Sequence, residues 1–344
     1  MQIRLKTGVP ASPNTVRMSP DSEKMMTTNE LQHPELPSCL SDSLAGFGVD
    51  SSEFEGLSYE RAHAYCRYLS ENHYENFHVG TWLFPKDARE HAYNVYAYCR
   101  WSDDLADETG STEQSLALLA WWREELNRCF VGKASHPVFI ALKKTADTCG
   151  LEAKPFHDLL DAFEQDQRIF RYQTYDEVLD YCTKSADPVG RIVLALLGYT
   201  DDERRALSDK TCTALQLANF WQDIENDLRR GRIYLPLEDM ARFHVNEEDL
   251  GMPTANNEVK ELLRFESERT MRLFAEGLPL RGMVKGRARF DIDLFSQGGI
   301  AILNAVKACD YDVLTRRPKV GKLSKALLLG GALIRGVLKT GKSN

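Results

Sequence analysis

The 344-residue sequence predicts an all-α fold. Apolar residues recur at helical spacing from Ser58 onward, strand-like alternation is nearly absent, and Pro, Gly and Asn fall between the periodic segments rather than inside them. With 43% hydrophobic residues, a chain of this length can bury a sizeable core. No repeat of 20–50 residues is present.

Residues 1–54 are rich in Ser, Pro, Thr and Met without periodicity and are expected to be a disordered leader. Ser58 is placed to cap a first helix reaching about Tyr74, and Pro85-Lys86-Asp87 opens a second that closes at Gly110-Ser111. Further helices are expected over 112–131, 136–149, 155–169, 175–184, 187–197, 202–229, 257–276 and 290–315. Gly231 suits a left-handed cap after the segment 202–229. Ile233-Tyr234-Leu235-Pro236 then runs extended, and 241–256 reads as a loop. A folded body is expected over 55–318, followed by a basic tail over 319–344.

The net charge is −8, but no acid follows Asp312, whereas eight bases do, from Arg316 to Lys342. The acidic body argues against nucleic-acid binding, and the tail suggests an anionic surface as its partner. From Lys322 to Lys342 a helical wheel separates Leu323, Leu327, Leu333, Ile334 and Val337 from the lysines and Arg335. Such a helix lies in a membrane interface or docks on the body, and both readings stand. Its longest apolar run, Ala326 to Ile334, is far short of the about 20 residues that span a bilayer. The eight cysteines form no C-x-x-C pair, which disfavours a zinc cluster. Reduced thiols, without a secretory signal, point to the cytoplasm, with peripheral membrane contact through 322–342.

Two aspartate clusters carry the chemistry. Asp103 and Asp107 stand four apart, with Asp104 between them and Arg100 one turn earlier; Asp223 and Asp227 repeat the spacing, with Asn219 one turn earlier. On a helix this puts the carboxylates on one face, where unpaired like charges cost roughly 0.2–0.5 kcal/mol. A solvated acidic helix end would explain either cluster alone. Two of them, beside Val95, Tyr96, Tyr98 and Trp101 and beside Phe220 and Trp221, suggest two walls of one apolar cavity. Mg²⁺ is the natural counterion, since it binds through carboxylates and substrate phosphates. Arg229, Arg230 and Arg232 follow the second cluster, placed to receive a diphosphate or to neutralise the acids. Loss of a diphosphate leaves a carbocation, which aromatic faces stabilise; Phe77, Tyr96, Tyr181, Phe220 and Trp221 are candidate linings.

At these residues the chain resembles the squalene/phytoene synthase family over roughly 57–318. Arg100–Asp107 is similar to the family's first D-x-x-x-D motif, and Asp223–Asp227 with Arg-Arg-Gly-Arg-Ile-Tyr-Leu-Pro to its second. The resemblance implies the isoprenoid synthase fold, a single helical domain around a central cavity. It also implies Mg²⁺ held by Asp103, Asp104, Asp107, Asp223 and Asp227 with Asn219, and a diphosphate gripped by Arg100 and Arg232. Tyr181 would orient or stabilise the reacting end. The chain departs from the usual pattern at Tyr74-Glu75-Asn76-Phe77 and at Ala186-Asp187-Pro188-Val189-Gly190. There it resembles the hydroxysqualene synthase branch of bacterial hopanoid pathways. That branch converts presqualene diphosphate from a sister synthase into hydroxysqualene, which a flavin reductase then consumes. Glu75, Asn76 and Asp187 stand where the family has small residues, as water-positioning groups or as helix caps. Gln165-Asp166 matches a family pattern or forms a surface pair. The alternative activity is head-to-head joining of two prenyl diphosphates to presqualene diphosphate, squalene or phytoene.

Overall fold

The computed structural model describes residues 47–48, 57–72 and 85–319, and among these no strand occurs. The departures at 74–77, including the candidate substrate-binding residues Asn76 and Phe77, lie outside the described residues. So do nearly all of the leader and the basic segment 322–342. Within the leader, Phe47 is described, and its ring sits 4.6 Å from that of Tyr65.

Fourteen helices are described: α1 (Tyr59–Asn72), α2 (Lys86–Asp107), α3 (Thr112–Phe130), α4 (Pro137–Cys149), α5 (Lys154–Asp166), α6 (Tyr175–Ser185), α7 (Asp187–Leu196), α8 (Asp202–Gln222), α9 (Ile224–Arg229), α10 (Leu237–Arg242), α11 (Glu247–Leu250), α12 (Asn257–Gly277), α13 (Leu280–Met283) and α14 (Gly286–Ala308). Their ends follow local chemistry. The side chains of Ser111, Thr174, Asp201 and Asn256 accept from backbone N–H groups of the first turns of α3, α6, α8 and α12. Pro137 opens α4, and Gly150 ends it in the left-handed region at φ 66°.

Two apolar cores organise the helices. The first joins α1–α5 with the C-terminal part of α7 around Trp101, Trp122 and Phe139. Trp101 and Trp122 stack at 5.1 Å, and Trp122 Nε1 donates to Ser102 Oγ at 3.0 Å. The second joins α6, α8, α12 and α14 around Trp221 and Phe274. Central α8 packs against α7, α12 and α14. The approach to α14 is close because Gly299 leaves no side chain between Phe274 and Leu215.

Three expectations are corrected. The helix expected over 202–229 breaks at Asp223 (φ −110°, ψ 16°), where α8 gives way to α9. The Asp223 N–H is shared between the carbonyls of Asn219 and Phe220, which tightens the turn. The segment read as a loop over 241–256 contains α11, opened by a capping box between Asn246 and Asp249. The last helix ends at Ala308 rather than 315, because Asp310 and Tyr311 take left-handed φ values of 55° and 59°.

Candidate active site

α2 divides its two faces sharply. One face carries Tyr98, Trp101 and Leu105 into the first core. The other carries Arg100, Asp103, Asp104 and Asp107. Arg100 is only 5% exposed and is tied to Asp104, to Asp103 at 3.1 Å and to Glu108 at 3.6 Å. Burial of a guanidinium is tolerated where carboxylates surround it. Tyr98 and Trp101, expected around the site, are core residues instead. Tyr98 donates to the Phe156 carbonyl at 2.8 Å, and Trp101 Nε1 donates to Tyr65 Oη at 3.0 Å. Trp221 is likewise core, donating to Thr270 Oγ1 at 2.8 Å.

The second cluster sits on the α8–α9 break. Asp223 is buried, Asn219 is half-buried on the last turn of α8, and the Asp227 N–H donates to the Asp223 carbonyl at 2.9 Å. α9 then stops in a Schellman motif: Arg232 N–H bonds the Asp227 carbonyl at 2.9 Å and Gly231 N–H bonds that of Leu228 at 2.8 Å, with Gly231 at φ 75°. This tight stop turns Arg232 back beside Asp227. It also brings the two clusters together: Arg230 lies 3.6 Å and Arg232 3.9 Å from the Asp107 carboxylate of α2. Arg229 points elsewhere and pairs with Glu225.

Between the clusters lies Asp166, at the end of α5 and 7% exposed. It accepts from Tyr181 Oη at 2.9 Å and from Tyr234 Oη at 3.3 Å, while Arg232 donates to its carbonyl at 3.1 Å. The surface-pair reading of Gln165-Asp166 therefore fails for Asp166. Burial raises its carboxyl to about 6 against the pull of Arg232. Tyr234 stacks on Phe220 at 3.8 Å and 6°, and Tyr181 lies 6.1 Å from Phe220, so the two tyrosines and Phe220 form one aromatic wall. Phe220, Asp227, Arg232 and Tyr234 line a recess of about 10 Å³. A larger groove, about 340 Å³, lies away from this wall among Lys154, Arg191, Arg205 and Asp209.

Two residues were missed by sequence reasoning. Arg317, read as part of the basic tail, donates to both oxygens of Asp223, with Nη2 to Oδ2 at 2.8 Å. Gln222 anchors the same segment, its Nε2 donating to the Pro318 carbonyl at 2.6 Å. The only signal was the run Arg316-Arg317-Pro318 just after the last helix.

A sequence model of the squalene/phytoene synthase family matches residues 70–324. The chain belongs to the squalene/phytoene synthase family. Members of this family are enzymes that process prenyl diphosphates. Phytoene synthase of Arthrospira platensis is 31% identical over 291 residues, 78% of this chain and 92% of that protein. The crystal structure of squalene synthase HpnC from Alicyclobacillus acidocaldarius is 43% identical, with a TM-score of 0.71, covering 74% of this chain and 95% of that one. A dehydrosqualene synthase solved with a ligand is 26% identical with a TM-score of 0.73, covering 82% and 98%. The squalene/phytoene synthase family thus accounts for the helical fold.

The crowding of acids has a measurable consequence. Burial and the neighbouring Asp223 push the Asp227 carboxyl up to about 7, despite Arg230 and Arg232. An unfolded aspartate titrates near 3.9, so between about pH 4 and 7 the folded state alone holds this proton. Its contribution to stability is therefore lost as pH rises through that window and is constant above it. Buried His136, pulled down to about 3, acts in the opposite direction as pH falls. The difference in Tm between wild type and Asp227→Asn, without metal or substrate, isolates the group. It should shift against the wild type between pH 5 and 8; a flat difference would show an unperturbed carboxyl.

Proposed function

We propose that the protein is a Mg²⁺-dependent hydroxysqualene synthase, converting presqualene diphosphate and water to hydroxysqualene and diphosphate. The observation that carries the diphosphate chemistry is the meeting of Asp107 with Arg230 and Arg232 beside the Asp166-anchored aromatic wall. The branch rests on the Ala186–Gly190 pattern; the 43% identity to a protein described as squalene synthase HpnC supports prenyl diphosphate chemistry in general.

The residues present fit Mg²⁺. Asp103, Asp104 and Asp107 of one cluster and Asp223 and Asp227 of the other offer oxygen donors only, Asn219 adds an amide, and Arg230 and Arg232 beside Asp107 link the two clusters. Among the described residues no three acid, His or Cys side chains close into a cage, so phosphate oxygens are needed to complete a metal's shell. When bound, the metal neutralises the diphosphate and draws charge onto it as the C–O bond breaks.

The chain's own residues do the rest. Arg100, Arg232 and Arg317 supply fixed guanidinium donors to phosphate oxygens. Asp166 holds the hydroxyls of Tyr181 and Tyr234, so these rings and Phe220 present their faces to the cation formed from the substrate. The apolar surroundings exclude stray water until rearrangement is complete, and water then adds. A sister synthase would supply the substrate and a flavin reductase would consume the alcohol. Peripheral membrane contact through 322–342 would bring the enzyme to its lipid substrate; among the described residues no helix is long and apolar enough to cross a membrane.

The 31% identity to a phytoene synthase favours a second reading, head-to-head joining of two prenyl diphosphates. Incubation in ¹⁸O-water without NADPH separates the two. Presqualene diphosphate should give ¹⁸O-labelled hydroxysqualene. Efficient conversion of farnesyl diphosphate alone to presqualene diphosphate or squalene would instead place the chain with the joining enzymes.

A further inference from the structure

The helices that build the aromatic wall also carry a buried polar group further along. Following α6 forward from Tyr181 to Ser185 covers one helical turn, about 6 Å; following α8 backward from Phe220 to Thr213 covers two, about 10 Å. Each pair of residues shares a face of its helix, and the rings at the start of these paths are 6.1 Å apart. The paths converge on Asp187. Thr213 Oγ1 donates to Asp187 Oδ1 at 2.8 Å, and Asp187 opens α7 directly after the break at Ala186 (φ −120°, ψ −53°). Asp187 is 4% exposed and Ser185 9%. Ser185 Oγ is buried and makes no hydrogen bond among the described residues.

A helix start alone favours an acid in the first turn. It does not call for a buried one, nor for a neighbouring hydroxyl that lacks a partner. A buried polar atom without a partner costs free energy, and a hydroxyl and a carboxylate that flank one helix break, at Ala186, are fitting partners for one water. Their place also suits the chemistry. Water held at the diphosphate end would trap the first cation formed, whereas water held a turn or two away along α6 and α8 meets the cation after it has rearranged.

We propose that Ser185 and Asp187 hold the water that ends the reaction, with Asp187 accepting its proton and Thr213 positioning the carboxylate. The assignment rests on the hydroxylating reading above. The C–O bond to diphosphate breaks with its electron pair leaving on diphosphate. After rearrangement, a lone pair of the water forms the new C–O bond, and the proton released passes to the Asp187 carboxylate, then to solvent. No oxidant or reductant takes part.

Burial and Asp209 raise the Asp187 carboxyl to about 7. The other groups that act on this site are Arg191 of α7, Lys210 and Cys212 of α8, and Cys182 of α6. Below about pH 7 the carboxyl keeps its proton and cannot accept another; above it, it can.

The test is the split of products from presqualene diphosphate between alcohol and hydrocarbons formed by proton loss, measured from pH 5.5 to 8.5 with the folded state checked by circular dichroism. Wild type should shift toward alcohol as pH rises through about 7. Asp187→Asn, which keeps an acceptor for Thr213, should lower the alcohol-to-hydrocarbon ratio on the order of tenfold or more and abolish its pH dependence. Ser185→Ala should lower the ratio while keeping the pH dependence. An unchanged ratio and profile in both variants, with wild type making alcohol, would overturn the water station and leave the hydroxylating reading standing. Absence of alcohol from wild type overturns both. If Asp187→Asn fails to fold, Ser185→Ala and the wild-type profile decide in the same way.

Discussion

Asp104→Asn and Asp223→Asn will each lower turnover by on the order of 10²–10³-fold or more, a loss comparable to removing a preorganised electrostatic contact to a developing charge. The two residues come from opposite sides of the site, one on α2 and one at the α8–α9 break. Simultaneous dependence on both is what a diphosphate clamped between two carboxylate walls requires. The fold should survive. Without the Asp104 charge, Arg100 keeps Asp103 at 3.1 Å and Glu108 at 3.6 Å. Without the Asp223 charge, Arg317 keeps Gln222 Oε1 at 3.3 Å. Asp161→Asn is the control: it removes the exposed acid of α5 that pairs with Arg123 of α3, a kind of contact worth about 0–1 kcal/mol, and should leave turnover unchanged. The measurement is kcat at saturating Mg²⁺ and substrate, beside circular dichroism. Near-normal turnover in either variant, or full wild-type activity in excess EDTA, would overturn the metal-bridged model.

The helices were legible because their signals are local. Ser111, Thr174 and Asn256 cap where side-chain chemistry says they should, and Gly231 takes the left-handed conformation that a Schellman stop needs. The facing of the aspartates on α2 follows from their spacing alone. The break at Asp223 was not legible, since neither Gly nor Pro marks it. Arg317, 94 residues away, grips the Asp223 carboxylate, and Gln222 holds the Pro318 carbonyl. Periodicity along one helix carries no trace of such a contact. The same limit explains the aromatic residues. Spacing shows that Tyr98, Trp101 and Trp221 are apolar-face residues, but not which neighbour that face meets. Trp101 meets Trp122 and Trp221 meets Thr270, both away from the aspartates. Asp166 shows the reverse: an acid within the polar stretch Glu164-Gln165-Asp166-Gln167 looks like surface, yet two tyrosine hydroxyls from distant segments make it the anchor of the aromatic wall. α10 and α11 are too short to show a helical period at all.

Arg317→Met will act twice, and the two effects come apart in a double variant. Arg317 is the partner of a buried Asp223, so its loss leaves that carboxylate buried and unpaired. Truncating one partner of such a pair costs about 3–5 kcal/mol, mostly the penalty on the charge left behind. Tm should therefore fall clearly in the protein without substrate. Combining Arg317→Met with Asp223→Asn removes both charges and should recover most of that loss, giving a coupling energy of the sign expected for residues in contact. Activity should behave differently. If Arg317 also grips the diphosphate, the single variant raises KM for presqualene diphosphate, and the double variant is worse because the metal-binding acid is gone as well. A structural role alone predicts that KM per folded molecule stays at the wild-type value in Arg317→Met. Equal KM there would confine Arg317 to neutralising Asp223, whereas a raised KM together with a recovered Tm in the double variant would assign it both tasks.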